Sequence, residues 1–246
     1  MVPMAIRCRD CALRRKPLFR EMSQHEVASV EAIKETHVFV PAGADVLRKG
    51  ERSRHVYTMY EGWALRYHEL NSGARQVLDV MLPGDAIGLA SVLLSADTHP
   101  VRTLTPASLC VLDGAKILDL FETCSGLALS VLRSRLEDER RVDARLIMLG
   151  RMNAEERVSY LFLETYHRLR QRGMAQKGIC PFLLRRSDTA DAVGLSKVHL
   201  MRALRELREQ QLAVIRGREL IIPDVPKLAA RVGFTAQTSE RGRAIL

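Results

Sequence analysis

The segment LALSVLRSRLEDERRVDARLIMLG, Leu127 to Gly150, contains no proline and meets its only glycine at its end. Proline inside a helix removes a hydrogen bond and clashes with the preceding turn. A long proline-free stretch with leucines at helical spacing therefore predicts one long helix. Two different patterns flank it. Before it, glycines recur at Gly43, Gly50, Gly62, Gly73 and Gly84, between strand-like runs such as HVFV, HVYTMY and RQVLDVML. That spacing predicts an antiparallel sandwich or barrel. NSGA, Asn71 to Ala74, is a hairpin turn, since Asn and Gly tolerate positive φ. No β-α-β alternation and no phosphate-binding glycine fingerprint occurs in this part.

After the helix the pattern changes again. NAEERVSYLFLETYHRL is amphipathic, with Asn153 as N-cap and Glu156 three residues on, a capping box. In RRSDTADAVGLSKVHLMRALRELREQQLAVIRGRELIIP, Ala190, Gly194 and Leu200 fall at the fifth, ninth and fifteenth positions of one motif. A helix-turn-helix needs a small residue where its helices touch, a glycine at the turn and an apolar residue facing back from the second helix. Ser187 and Ser196 are the N-cap candidates of the two helices. AVIRGRELIIP reads as two short strands around Arg216–Gly217, the wing of a winged helix. Thr189 is the misfit, where a larger apolar residue is expected.

The fold class expected is α+β: an N-terminal antiparallel β-roll of jelly-roll type, a long dimerisation helix and a C-terminal winged helix-turn-helix. The boundaries are an N-terminal arm over 1–19, the β-roll over 20–114, the helix over 115–150, the winged helix over 151–226 and a C-terminal tail over 227–246, polar and flexible from Phe234 on. Leu129, Leu132 and Leu136, then Val142, Leu146 and Leu149, follow coiled-coil spacing around the polar break Glu137–Arg141, and are the expected dimer seam. The alternative is a single helix packed on its own domain, its charges facing out.

Charge narrows the function. The chain of 246 residues carries a net charge of +9. Residues 185–222 hold eight Arg/Lys against five acids. A basic balance inside a helix-turn-helix points to double-stranded DNA. On the second helix, Lys197 and Arg202 are placed to reach base edges, Arg202 bidentate to a guanine. Val198 and Met201 offer apolar contact, for example to a thymine methyl. Ser196, His199 and Arg205 are candidates for phosphate, with Ser187 at the start of the first helix. No apolar run reaches membrane-spanning length. The opening MVPMAIRCRDC carries charge before any apolar run, so no leader and a cytoplasmic protein are expected. No nucleophile elbow or other catalytic constellation is present, so an enzyme is not expected.

With these parts in this order, the chain resembles the CRP/FNR superfamily of bacterial transcription regulators, closer to the fumarate–nitrate regulator branch than to the cyclic-AMP receptor protein. The resemblance covers residues 8–234. It rests most specifically on LPGDAIGL (Leu82–Leu89), NAEER (Asn153–Arg157) and VGLSKVHLMRALRELREQQL (Val193–Leu212). It implies a homodimer on a near-palindromic site, contact with RNA polymerase, and an effector acting on the cyclic-nucleotide-binding-like β-roll. Cyclic AMP is not the expected effector. The glutamate of the glycine-glutamate turn is missing from GLAS (Gly88–Ser91), and the Arg-Ser pair is missing from residues 98–105, leaving Arg102 as a possible substitute.

The fumarate–nitrate branch holds an iron–sulfur cluster on four cysteines. Cys8 and Cys11 in CRDCALRRKPLF match the first two and Cys110 the one on the β-roll, but Pro17 stands at the third position. Clusters take four protein ligands, so Asp10 or Glu21 would have to complete the set. Three readings stay open at this point. One is such an oxygen-labile cluster. Another is a redox-sensing thiol pair, its pKa lowered by Arg7, Arg9 and Arg14. In the third the arm's cysteines have no role and Cys110 is a small core residue. Structural zinc also lacks a fourth ligand. The family's best-known members carry a glutamate where this chain has Val198, so a different half-site is expected. Two rival functions remain: an effector-binding protein whose winged helix binds protein, and a thiol redox protein using Cys8 and Cys11.

Overall fold

The computed structural model describes residues 6–94, 99–236, 242–243 and 246. It divides into two compact units, one of residues 1–68, 78–135 and 240–246, the other of residues 69–77 and 136–239.

The first unit opens with two short 3-10 turns over the cysteine arm, Cys8–Asp10 and Ala12–Arg15. Helix α1 (Gln24–Ile33) follows, then β1 (Lys34–Val40), β2 (Asp45–Leu47), β3 (His55–Glu61), β4 (Ala64–Glu69), β5 (Arg75–Met81) and β6 (Ala86–Ile87). After α2 (Leu89–Leu94) come β7 (Val101–Thr103), β8 (Ala107–Asp113) and α3 (Ile117–Thr123). The strands form two antiparallel sheets, ordered β1-β8-β3-β6 and β2-β7-β4-β5. The β-roll is thus present. The reading of residues 20–114 as strands alone is corrected by α1, whose start is a capping box in which Ser23 Oγ accepts from Glu26 N and Glu26 Oε2 from Ser23 N. Arg20 bonds both Glu26 oxygens and Ser130 Oγ, the last at 2.7 Å, which pins α1 within the unit.

Alternation along the strands sends Leu47, Met59, Ala64, Met81, Val101 and Leu109 into one core between the sheets. A second core joins Val30 and Ile33 of α1 to Val56, Leu112, Ile117, Leu120 and Leu127. The helical stretch is two helices, with α3 separated from α4 (Ser125–Arg151) at Cys124. Along α4, Leu129, Leu132, Leu136, Val142 and Leu146 are exposed, and Ile147, outside the expected seam, is 59% exposed. Leu149 is only half-buried.

In the second unit, α5 (Ala154–Gln171) precedes β9 (Ile179–Pro181), α6 (Arg186–Val193), α7 (Lys197–Glu209), β10 (Val214–Arg216), β11 (Glu219–Ile221) and α8 (Val225–Arg231). The sheet is ordered β10-β11-β9, so the expected two-stranded wing has a third strand. The polar break on α4 is only partly outward: Glu139 and Arg140 are exposed, but Asp138 and Arg141 are not. Arg141 bonds Asp138 at 2.7 Å and lies 3.5 Å from Glu164, which Arg145 also binds at 3.0 Å, all with side chains under a fifth exposed.

The NAEER stretch organises this unit. Asn153 caps α5, and Glu156 closes the box. Glu155 accepts from Gln210 at 2.9 Å and from Arg231 at 3.0 Å. Arg157 donates to the Met152 and Val193 carbonyls.

Candidate nucleic-acid interface and cysteine pocket

Helix α7 is amphipathic because its apolar residues recur every three to four positions. Leu200, Ala203 and Leu207 are at most 1% exposed and face inward, whereas Val198 is 71% and Met201 50% exposed. Lys197, Arg202 and Arg205 are exposed on the outward side. With Arg186, Arg208, Val214 and Ile215, this side borders a cleft of about 490 Å³ between the helix and the wing. Arg205 is held by Glu209 at 2.7 Å. Lys197 and Arg202 make no ion pair among the described residues.

The turn before α7 obeys local chemistry. Gly194 closes α6 at φ +63°, a left-handed conformation that disfavours a Cβ, and a Cβ there would lie 3.2 Å from Leu149. Ser196 caps α7 by accepting from His199 N at 3.2 Å, and its hydroxyl also lies 2.9 Å from His199 Nδ1. The Ser196 hydroxyl is thus engaged on its own helix. Ser187, expected as the cap of the first helix, lies instead within its first turn. The helix begins one residue earlier, after Arg185, whose N–H donates to Asp188 Oδ2 at 3.2 Å. An acid three residues in supplies the cap. Thr189 fits because its hydroxyl donates to the Arg185 carbonyl at 3.0 Å, so it is buried with its polar atom satisfied.

One contact had no signal in the sequence. Arg75 binds Asp188 at 2.5 Å and Asp191 at 2.7 Å, both on α6.

In the first unit, Cys8, Cys11 and Cys110 line one pocket with Ile6, Arg14, Met22, Val27, Val30, Lys34, Leu112 and Leu246. The structure therefore gathers the three candidate thiols, drawn from the arm and from β8. Cys110 is not a simple core residue: it is part-exposed in this pocket and lies 3.9 Å from His37 Nδ1. Cys124 and Cys180 are buried elsewhere. The basic arm does not activate Cys8 as expected. Burial pushes the Cys8 thiol up to about 11, the nearby Lys34 ammonium only partly opposing it. Burial raises Cys110 as well.

The pocket as folded does not fit an iron–sulfur cluster. Asp10 and Glu21 do not line it, and its free volume is about 30 Å³, the space of a water or two. Among the described residues no group of three or more His, Cys, Asp or Glu stands ready to hold a metal. Arg102, the possible substitute for a nucleotide's phosphate partner, is bound to Asp45 at 2.8 Å and lies over the Tyr67 ring. Residue 98, the first of the segment where the Arg-Ser pair was sought, lies outside the described residues. No helix among the described residues is long and apolar enough to cross a membrane.

Known proteins match both units. Residues 37–124 match the cyclic nucleotide-binding domain family, and residues 156–231 the Crp-like helix-turn-helix domain family. The fumarate and nitrate reduction regulatory proteins of Salmonella typhimurium and Escherichia coli are each 22% identical over 233 residues, 94% of this chain and 92% of theirs. FixK2 from Bradyrhizobium japonicum superposes with a TM-score of 0.65 at 24% identity, over 83% of this chain and 98% of FixK2. A CRP-family transcriptional regulator from Thermus thermophilus gives 0.64 at 19% identity, over 82% of this chain and all of that one. With both domain types present in the expected order, the chain belongs to the CRP/FNR superfamily and is a DNA-binding transcription regulator.

Proposed function

We propose that the protein acts in the cytoplasm as a homodimer, reads a near-palindromic site on double-stranded DNA with one α7 per half-site, and contacts RNA polymerase from there. The observation that carries this is the outward side of α7, where Lys197 and Arg202 stand unpaired among the described residues, opposite fully buried Leu200 and Leu207. The exposed Leu129, Leu132, Leu136 and Leu146 on α4 supply the apolar seam a dimer would cover. Selection of binding sites from random duplexes tests the reading, followed by titrations across a salt series. A selected palindrome and an affinity that falls steeply with salt are expected. Salt-insensitive affinity with no selected sequence would favour a winged helix that binds protein.

The signal is oxygen or redox state, read in the pocket of Cys8, Cys11 and Cys110. Its support is that the fold brings the three together from two distant segments. Since the closed pocket does not fit a cluster, the thiols themselves are the proposed sensor. Anaerobic purification with iron and sulfide analysis separates the two: colourless, iron-free protein whose DNA affinity changes on oxidation supports thiol sensing. Bound iron that bleaches in air would return the cluster.

A further inference from the structure

A cleft of about 850 Å³ opens in the second unit, between the last turns of α5, the turn that leads into β9 and the start of α8. It shares no lining residue with the cleft beside α7. Spaces of this size hold small organic molecules. The wall has an apolar part and a cationic part. Phe234, the first residue of the stretch whose composition suggested flexibility, is half-buried, stacked on His167 at 5.2 Å between ring centres and set edge-on to Tyr160. Ile222, Val225 and Pro226 continue this apolar surface. Arg170 and Lys177 supply the charge. Both are exposed, and neither makes an ion pair among the described residues. Burial and the nearby Arg170 lower the His167 pKa from its ordinary 6.5, so that ring is uncharged at neutral pH. Among the described residues the one acid in the wall is Asp224, whose Oδ1 accepts from Lys227 N at 2.9 Å.

Two details in this wall serve no purpose in folding. Tyr166 is 4% exposed, and its hydroxyl accepts from the Gly178 N–H at 3.1 Å. The hydroxyl's own proton has no acceptor among the described residues, although a buried hydroxyl ordinarily donates as well as accepts. The second detail is Lys177. Gln176 and Ile179 exchange backbone hydrogen bonds of 3.0 and 2.9 Å around a turn whose two central residues, Lys177 at φ +50° and Gly178 at φ +77°, are both left-handed. Glycine is required at 178, where a Cβ would collide with the Ile222 carbonyl. At 177 asparagine or glycine would hold the turn with less strain, so a lysine there is kept for its side chain. We propose that the cleft binds a small organic anion. Arg170 and Lys177 take its carboxylate or phosphate, the Tyr166 hydroxyl donates to it, and Phe234 with its neighbours takes an apolar or aromatic body. Charge-assisted hydrogen bonds to two cations suit the head, and a half-buried ring suits the body. The DNA-binding unit then carries a ligand site of its own, apart from the cysteine pocket.

The test titrates the full-length protein with benzoate, phenyl phosphate, benzamide and inorganic phosphate, following backbone amides by NMR. At least one of the two ring-bearing anions should shift the Gly178 and Phe234 amides saturably, with a dissociation constant of about 1 mM or tighter, the range open to ligands this small. Benzoate alone names a carboxylate as the head, and phenyl phosphate alone names a phosphate. Benzamide and inorganic phosphate, which lack the charge or the ring, should bind about tenfold more weakly. Arg170→Gln should weaken the preferred anion about tenfold, and Tyr166→Phe should weaken it about threefold or more. Lys177→Gly removes the charge while leaving the turn less strained, so it should weaken binding about tenfold in a protein at least as stable as the wild type. No saturable shift at Gly178 with either ring-bearing anion would overturn the proposal. Inorganic phosphate binding as well as phenyl phosphate would reduce the site to an adventitious ion only. Shifts confined to α7 and the wing would place the anions on the nucleic-acid face and overturn it too. No arm reads DNA binding or dimerisation, so failure here leaves the regulator reading standing, and the reverse.

Discussion

Arg75 Nη2 lies 2.5 Å from Asp188 Oδ1, joining the turn over residues 69–77 to the first helix of the helix-turn-helix. Asp188 is 4% exposed, and its other oxygen caps that same helix at the Arg185 N–H. The arginine therefore balances a buried carboxylate that α6 needs for its own start.

Removing that balance should be felt in the DNA-binding unit. Arg75→Ala leaves a buried acceptor short of a partner, a loss of roughly 1–3 kcal/mol. Denaturant unfolding followed by a probe in α6 should show the drop, and Arg75→Ala combined with Asp188→Asn should lose less than the sum of the two. Additive losses would mean the contact contributes nothing.

Arg202→Ala should cost about 1–3 kcal/mol on the selected site, the range of one bidentate base contact, with the dimer intact. Arg205→Ala should weaken specific and non-specific duplexes alike and flatten the salt dependence, since its place suits phosphate. Val198→Glu should shift the preferred base pair toward one presenting cytosine N4. Fluorescence anisotropy on a panel of half-site variants checks all three.

Leu132→Glu should separate the dimer. Leu132 is 54% exposed on α4, and a carboxylate in an apolar seam carries a desolvation penalty without disturbing a packed core. Sedimentation should give a monomer that still unfolds cooperatively and has lost high-affinity binding to the palindrome. A dimer of unchanged affinity would move the seam elsewhere.

Acid should weaken the first unit through Glu26. The bonds from Arg20 hold its carboxyl down at about 2, well below the usual value near 4.5. A lowered folded-state value means the stabilisation is complete above pH 4.5 and is lost as pH falls from there toward 2. Glu26→Gln should therefore destabilise the unit at neutral pH and flatten its stability profile across that window, measured by unfolding at stepped pH.

The DNA-binding half was legible because each signal there is local. Gly194 needs a left-handed turn, Ser196 caps a helix three residues away, and Leu200 and Leu207 mark a buried stripe, all within reach of a few residues of sequence. The Ser23–Glu26 capping box was just as local, but the glycine spacing of the strands drew the reading past it. Ser187 was misassigned because the helix starts from Arg185, whose N–H is capped by the Asp188 carboxylate, a residue the serine pattern did not flag. β9 is three residues long and ends at Pro181, too short for any periodic pattern. Arg75 and Leu246 left no trace, since each acts on a partner more than a hundred residues away and local composition carries no information about such contacts. The three cysteines were nameable only through the family resemblance; the burial of Cys8, which reverses the expected effect of the basic arm on it, belongs to the fold.

Leu246 belongs to the same apolar cluster as Val30, Val56 and Ile117. A chain is made from its N-terminus, and domains normally close as they emerge from the ribosome. Here the first half to be synthesised lacks one of its core side chains until residue 246 has been added, by which time the whole second unit is available to fold. The first unit is thus begun before the second and closed after it, and a nascent chain halted before residue 246 would lack one wall of the cysteine pocket.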